Sequence, residues 1–94
     1  MLNIDELKKY NEERKKLKLE PYKLILEMIC NKIKESSILL GQNYCIYQVP
    51  EFILGYTTYD VTDCSNWLQK KLNKMGIKNV DIMENNIMLI IWTH

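Results

Sequence analysis

Three cysteines and one histidine are the residues of this 94-residue sequence that could support nucleophilic catalysis. In that chemistry a thiolate attacks an electrophilic carbon and a nearby imidazole accepts the thiol proton. The cysteines are Cys30, Cys45 and Cys64, and the histidine, His94, is the last residue. Because chain ends fray, His94 is poorly placed to act as a fixed base. No two cysteines have the C-x-x-C spacing of a zinc or redox motif, so we predict reduced, buried thiols with no catalytic residue and no metal site.

Two carboxylates, Asp60 and Asp63, lie three positions apart, and such a pair can serve as general acid and base. They also flank the start of a predicted helix, where a carboxylate accepts free backbone N–H groups and is favoured by the helix dipole. We interpret them as capping residues. The glycines Gly41, Gly55 and Gly76 belong to no phosphate-binding loop. The sequence therefore predicts a protein that is not an enzyme and that uses no cofactor and no small-molecule substrate.

The composition is typical of one small globular domain spanning residues 1–94. Apolar residues make up 47% of the chain and charged residues 27%, and the formal net charge is +1. This near-neutral charge supplies little of the counterion-release energy that drives nucleic-acid binding. No apolar run is long enough to cross a bilayer and the N-terminus lacks a signal-peptide pattern, so we expect a soluble intracellular protein. Twelve Ile, twelve Lys and nine Asn, without a single Ala, indicate a source genome rich in A and T.

Two helices are predicted in the N-terminal half of the sequence. The first covers residues 4–20, is dense in charge and carries only a thin apolar stripe, which indicates a solvated helix. Pro21 removes a backbone donor, so this helix should end near Glu20 and a second one should begin. The second helix runs to about Glu35 with a broad apolar face. It begins the α/β core that we expect over residues 21–94.

A third helix is predicted with firm signals at both ends. Asp60 or Thr62 caps its start, and Gly76 stands at its C-terminal cap. Between them, apolar residues recur on one helical face.

Three strands are predicted at residues 44–49, 78–83 and 86–92, and a tight turn at Glu84 and Asn85 joins the last two. The last strand is apolar on both faces, which is typical of a central strand, so it should lie between its hairpin partner and the first strand. The predicted fold class is α+β: two N-terminal helices, then strand, helix, strand, strand, with a three-stranded antiparallel sheet. A winged-helix domain has a similar element order. The expected core is Ile25, Ile29, Ile33, Val49, Val61, Leu68, Leu72, Val80, Ile87, Leu89 and Ile91.

A set of dispersed residues carries a family resemblance. They are Cys45, Tyr47, Val49, Pro50, Phe52, Gly55, Tyr59, Asp60, Cys64, Gly76, Asn86, Leu89, Ile91 and Trp92. In this pattern, which covers about residues 22–94, the sequence resembles a small uncharacterised family of nucleocytoplasmic large DNA viruses, the giant viruses. Thr58 and Asn85 depart from the pattern, which usually has proline at both positions. The resemblance implies a viral origin, and hence a place in the viral factory of the host cytoplasm or in the virion. It supplies no catalytic residue.

A three-stranded sheet with helices on one face leaves its other face in need of cover. We predict that this face is formed by Tyr44, Ile46, Met88, Ile90 and Trp92. Tryptophan and tyrosine are enriched at binding hot spots, and methionine adapts to irregular partner surfaces. The cover would be a partner protein, a second copy, the N-terminal helix folded back, or a second layer of the protein's own core. The predicted function is protein–protein interaction.

Nucleic-acid binding is the alternative that the sequence leaves open. In a winged-helix domain the third helix would enter the major groove. Here the predicted third helix carries Lys70, Lys71 and Lys74, and Lys78 lies just past its end. These cations cluster at the C-terminal half of the helix, whereas its N-terminal half carries carboxylates. The region also lacks arginine, which makes the bidentate contact to guanine. This alternative is therefore not favoured.

Overall fold

A computed structural model describes residues 3–92 of the chain. Helix α1 spans Ile4–Ile38 and helix α2 spans Val61–Lys74. Strands β1, β2 and β3 span Tyr44–Gln48, Asn79–Ile82 and Ile87–Ile91. They form one antiparallel sheet in the order β1-β3-β2, with β3 in the centre. The α+β class, the antiparallel sheet and the central position of the last strand are confirmed.

Helix α1 is continuous, and the predicted break near Glu20 is wrong. Pro21 lies inside the helix, where it leaves the carbonyl of Leu17 without its usual donor four residues on. The proline ring is fully buried, however, and Tyr22 beside it is 1% exposed. Burial of both side chains in the core offsets the lost hydrogen bond. Helix propensities do not include this burial, because it depends on tertiary contacts. The part of the chain that the structure describes therefore has two α-helices instead of the three predicted.

The first part of α1, residues 4–18, contributes no side chain to the core, and we call it the arm; its C-terminal end, at Arg14 and Lys18, lies beside residues 57–60. Every residue of the arm is exposed. The side-chain amide oxygen of Asn3 caps its start by accepting from the backbone N–H of Glu6 at 2.8 Å. Acidic and basic side chains alternate along the arm at three- and four-residue spacings, which stabilises an isolated helix. The described residues extend over 59 Å in their longest dimension, and the arm does not fold back over the sheet.

Helix α2 begins and ends where the sequence predicts. The Asp60 carboxylate accepts from the backbone N–H groups of Thr62 at 2.8 Å and Asp63 at 3.1 Å. Gly76 follows the helix with φ +102°, a left-handed conformation that glycine adopts without strain. The buried stripe of α2 is formed by Cys64, Ser65, Leu68 and Leu72.

The pairing of β3 determines which of its two apolar faces is buried. Ile90 lies opposite Cys45 of β1 and Val80 of β2, and all three are in the core. Met88 also points to this side and is fully buried. The core further contains Tyr22, Ile25, Ile29, Val49, Cys64, Leu68 and Leu72.

The predicted core is confirmed for Ile25, Ile29, Val49, Leu68, Leu72 and Val80. Ile33 and Val61 are only partly buried and pack against its edge. The prediction is wrong for Ile87, Leu89 and Ile91, which are half-buried on the opposite face of the sheet. Both faces of this strand are apolar, so the sequence pattern could not select between them.

The turn between β2 and β3 contains a short 3-10 segment, Glu84–Asn86. Asn85 and Asn86 both have positive φ, at 59° and 58°. Asparagine tolerates this left-handed region better than most residues, which is why a tight turn forms here.

Candidate functional site

Among residues 3–92, no helix packs on one of the two faces of the sheet. The apolar residues of this face are Tyr44 and Ile46 of β1 and Ile87, Leu89 and Ile91 of β3, and we call this set the open sheet face. Tyr44 pairs with Ile91 and Ile46 with Leu89, so the side chains form adjacent cross-strand pairs. Tyr44 is 43% exposed and Ile46 50% exposed.

Polar side chains border the open sheet face. Gln48 lies opposite Ile87 on the β1 side, while Asn79 and Asp81 of β2 lie opposite Ile91 and Leu89. An apolar centre with a polar rim is the usual anatomy of a protein-binding surface.

The predicted interaction residues do not lie together. Tyr44 and Ile46 are on the open sheet face, as predicted, but Met88 and Ile90 are fully buried beneath the helices. Trp92 is half-buried and packs against the core from the helix side. The antiparallel register places Ile87, Leu89 and Ile91 beside Tyr44 and Ile46 instead. Gln48 shares a face with Tyr44 and indicates the exposed side of β1, but only the register that pairs it with Ile87 extends this assignment to β3.

Trp92 contributes to a second apolar surface, which the sequence did not reveal. A groove of about 340 Å³ opens between the C-terminal ends of α1 and α2. We call it the Trp92 groove, and it is lined by Cys30, Ile33, Lys34, Ser37, Ile38, Met75, Ile77 and Trp92. The indole Nε1–H of Trp92 is buried and has no hydrogen-bond partner among residues 3–92. A buried donor without a partner is uncommon in proteins.

The cysteines lie in apolar surroundings. Cys45 and Cys64 are buried in the core, and Cys30 is half-buried in the Trp92 groove. Burial raises the pKa of all three thiols, that of Cys64 to about 12, so they stay protonated at neutral pH. A protonated thiol is a poor nucleophile and a poor metal ligand. Residues 3–92 contain no group of three or more metal-ligating side chains, and His94 lies outside the described residues.

The two carboxylates that begin α2 are engaged by the protein itself. Asp60 caps the helix, and Asp63 Oδ2 accepts a 2.7 Å hydrogen bond from the Tyr22 hydroxyl. Lys18 Nζ lies 3.5 Å from the same oxygen. The bond from Tyr22, supported by Lys18, lowers the pKa of Asp63. The pKa of the Tyr22 phenol is raised, mainly by burial and then by its bond to Asp63.

The four lysines proposed for nucleic-acid contact are not equivalent. Lys70, Lys74 and Lys78 are exposed. Lys71 is half-buried, and its ammonium lies 5.3 Å from the centre of the Trp67 ring in a cation–π contact. Three of the four are therefore free to meet a phosphate backbone.

Within residues 3–92, neither helix combines the length and the apolar character that a bilayer-spanning segment needs.

Comparison with known proteins places these features in a family. No solved structure matches the chain. An uncharacterized protein of Acanthamoeba polyphaga mimivirus, R447, is 32% identical over 96 residues, which cover 98% of this chain and 76% of that relative. The relative comes from a giant virus, as the sequence resemblance implied. A family of unknown function (DUF5759) matches residues 2–73, a stretch that includes α1, β1 and nearly all of α2. The chain therefore belongs to the family of unknown function DUF5759.

Proposed function

We propose that this chain is a non-enzymatic viral protein that acts by binding another protein through the open sheet face. The observation that carries the proposal is the uncovered apolar surface formed by Tyr44, Ile46, Ile87, Leu89 and Ile91. Contiguous apolar patches with a polar rim commonly mark protein interaction sites. The similarity to a mimivirus protein supports a viral origin.

The arrangement of the side chains also favours binding over catalysis. The described thiols are held protonated in apolar surroundings, and Asp60 and Asp63 are occupied by contacts within the fold. A viral binding protein of this kind would work in the viral factory of the host cytoplasm or in the virion.

The open sheet face has little charge, so apolar burial should supply most of the affinity. Asp81 is the charged residue among the side chains that border it. Binding that rests on apolar burial survives added salt, whereas binding that rests on charge is screened. Salt resistance is therefore an expected property of the complex.

Affinity capture from infected cells tests the proposal. The wild-type chain should retain a protein partner after nuclease treatment and at high salt, and Ile46→Lys should lose it because a charge then stands in the apolar centre. Lys70→Ala with Lys74→Ala is the matched control, since these lysines lie on α2, away from the face. Equal retention of the partner by the wild type and Ile46→Lys would refute the role of the open sheet face.

Nucleic-acid binding through α2 remains the second candidate, and one observation favours it. Lys18 Nζ lies 3.5 Å from Asp63 Oδ2 and offsets part of the repulsion that this carboxylate would exert on a phosphate backbone. The exposed side of α2 then presents Asn66, Lys70, Asn73 and Lys74. Amide and ammonium groups of this kind can contact base edges and phosphates.

A duplex-binding titration at several salt concentrations separates the two candidates. This second candidate requires that affinity falls steeply with salt and that Lys70→Ala with Lys74→Ala weakens binding. Our proposal predicts no salt-sensitive duplex binding of this strength and no effect of these substitutions on the protein partner.

A further inference from the structure

We propose that the Trp92 groove binds a second copy of this chain, so that the protein forms a two-fold dimer through the C-terminal ends of α1 and α2. This surface is separate from the open sheet face. The groove lies on the helix side of the fold, and its lining shares no residue with that face.

The rim of the groove is complementary to the groove itself. Ile38, the last residue of α1, and Met75, which caps α2, both line the groove. They are nevertheless 68% and 55% exposed, so their side chains stand at its edge. In a two-fold interface the same patch is used by both copies, so a patch must fit itself. Apolar rim side chains beside an apolar recess meet this condition, because the rim of each copy can enter the recess of the other.

Charge supports the same pairing. The last turn of α1 carries no basic residue, so the negative end of its helix dipole is not compensated within that turn. Lys34 lines the groove and is exposed. In the dimer, the ammonium of Lys34 from one copy would approach the α1 C-terminus of the other.

Sedimentation equilibrium of the full chain over a wide range of concentration tests the proposal. The wild type should self-associate, and Ile38→Asp should weaken association by at least about tenfold, because a carboxylate would enter an apolar recess. Leu54→Asp is the matched control, since Leu54 is 90% exposed and lies outside the groove. It should associate like the wild type.

Alkylation of Cys30 supplies a second measurement on the same samples. Cys30 lies in the groove, while Cys45 and Cys64 are buried in the core, so Cys30 should react first. The alkylation rate of Cys30 should fall as the wild-type concentration rises and should stay constant in Ile38→Asp. Circular dichroism should confirm that this variant is folded.

A wild type that stays monomeric at every concentration would overturn the dimer, and so would equal association of Ile38→Asp and Leu54→Asp. If the groove instead takes a different protein, the purified chain is monomeric and the proposal fails. None of these outcomes depends on the partner of the open sheet face, which Ile46→Lys tests separately.

Discussion

The hydroxyl of Tyr22 donates a 2.7 Å hydrogen bond to the carboxylate of Asp63, which lies 41 positions further along the chain. This bond joins α1 to the first turn of α2 at the point where the arm leaves the core. Around it, the Tyr22 ring makes an edge contact with Tyr59 and a tilted contact with Trp67, with ring centres 5.7 and 5.6 Å apart. The junction therefore combines aromatic packing with one charge-assisted bond, and it lies immediately after Pro21.

Removing this bond should make the free energy of unfolding depend less on pH in the acid range. Because the pKa of Asp63 is lower in the folded chain than in the unfolded one, the bond stabilises the fold above the unfolded value of about 3.9. That contribution is lost as the pH falls through the folded value. Tyr22→Phe should lower the free energy of unfolding by roughly 1–2 kcal/mol at pH 7 and by less at pH 3. Urea unfolding at both pH values measures the difference.

Tyr59→Phe is the control for that measurement. The Tyr59 hydroxyl donates to the backbone carbonyl of Pro50, a neutral acceptor. Its loss should lower stability by a similar amount at both pH values. If Tyr22→Phe and Tyr59→Phe show the same pH dependence, the bond to Asp63 does not contribute to acid sensitivity.

The two faces of β3 should respond differently to truncation. Ile90 is fully buried, so Ile90→Ala should lower the free energy of unfolding by about 2–5 kcal/mol. Leu89 is half-buried on the open sheet face, so Leu89→Ala should cost about 1–2 kcal/mol. Urea unfolding of the two variants compares them directly. A larger loss for Leu89→Ala would reverse our assignment of the faces.

Deleting residues 1–17 should leave the core folded. No side chain from Ile4 to Leu17 is buried, and Lys18, which contacts Asp63, is retained. The free energy of unfolding should change by less than about 1 kcal/mol, since exposed residues contribute little to stability. Sedimentation velocity should show a more compact particle. A truncated chain that fails to unfold cooperatively would show that the arm contributes to the core.

The turn at Asn85 should accept glycine and resist a β-branched residue. Its φ of 59° lies in the left-handed region, where glycine is unstrained and valine is not. Asn85→Gly should leave the melting temperature nearly unchanged, whereas Asn85→Val should lower stability by roughly 1–2 kcal/mol. Thermal unfolding followed by circular dichroism measures both. Equal melting temperatures for the two variants would contradict the assigned conformation.

Local signals in the sequence were sufficient to predict several elements. Asp60 and Gly76 define the ends of α2 because a cap and a left-handed glycine depend only on neighbouring residues. Asn85 predicts the hairpin turn for the same reason, whereas Asn86, predicted as the first residue of the last strand, belongs to the turn. The alternation in β1 also assigns Cys45 to the buried face, since that strand is polar on one side at Gln48.

Contacts between distant residues decided the rest. Pro21 remains inside α1 because its ring and Tyr22 are buried against the core, and burial outweighs the local preference of proline to end a helix. In β3 both faces are apolar, so only the register with β1 and β2 determines that Ile90 is buried and Leu89 is open. The Trp92 groove likewise forms where the ends of α1 and α2 meet. The sequence by itself therefore determined α2, the three strands and their order. The tertiary structure decided the continuity of α1 and which apolar surfaces remain exposed, because both depend on packing between residues far apart in the chain.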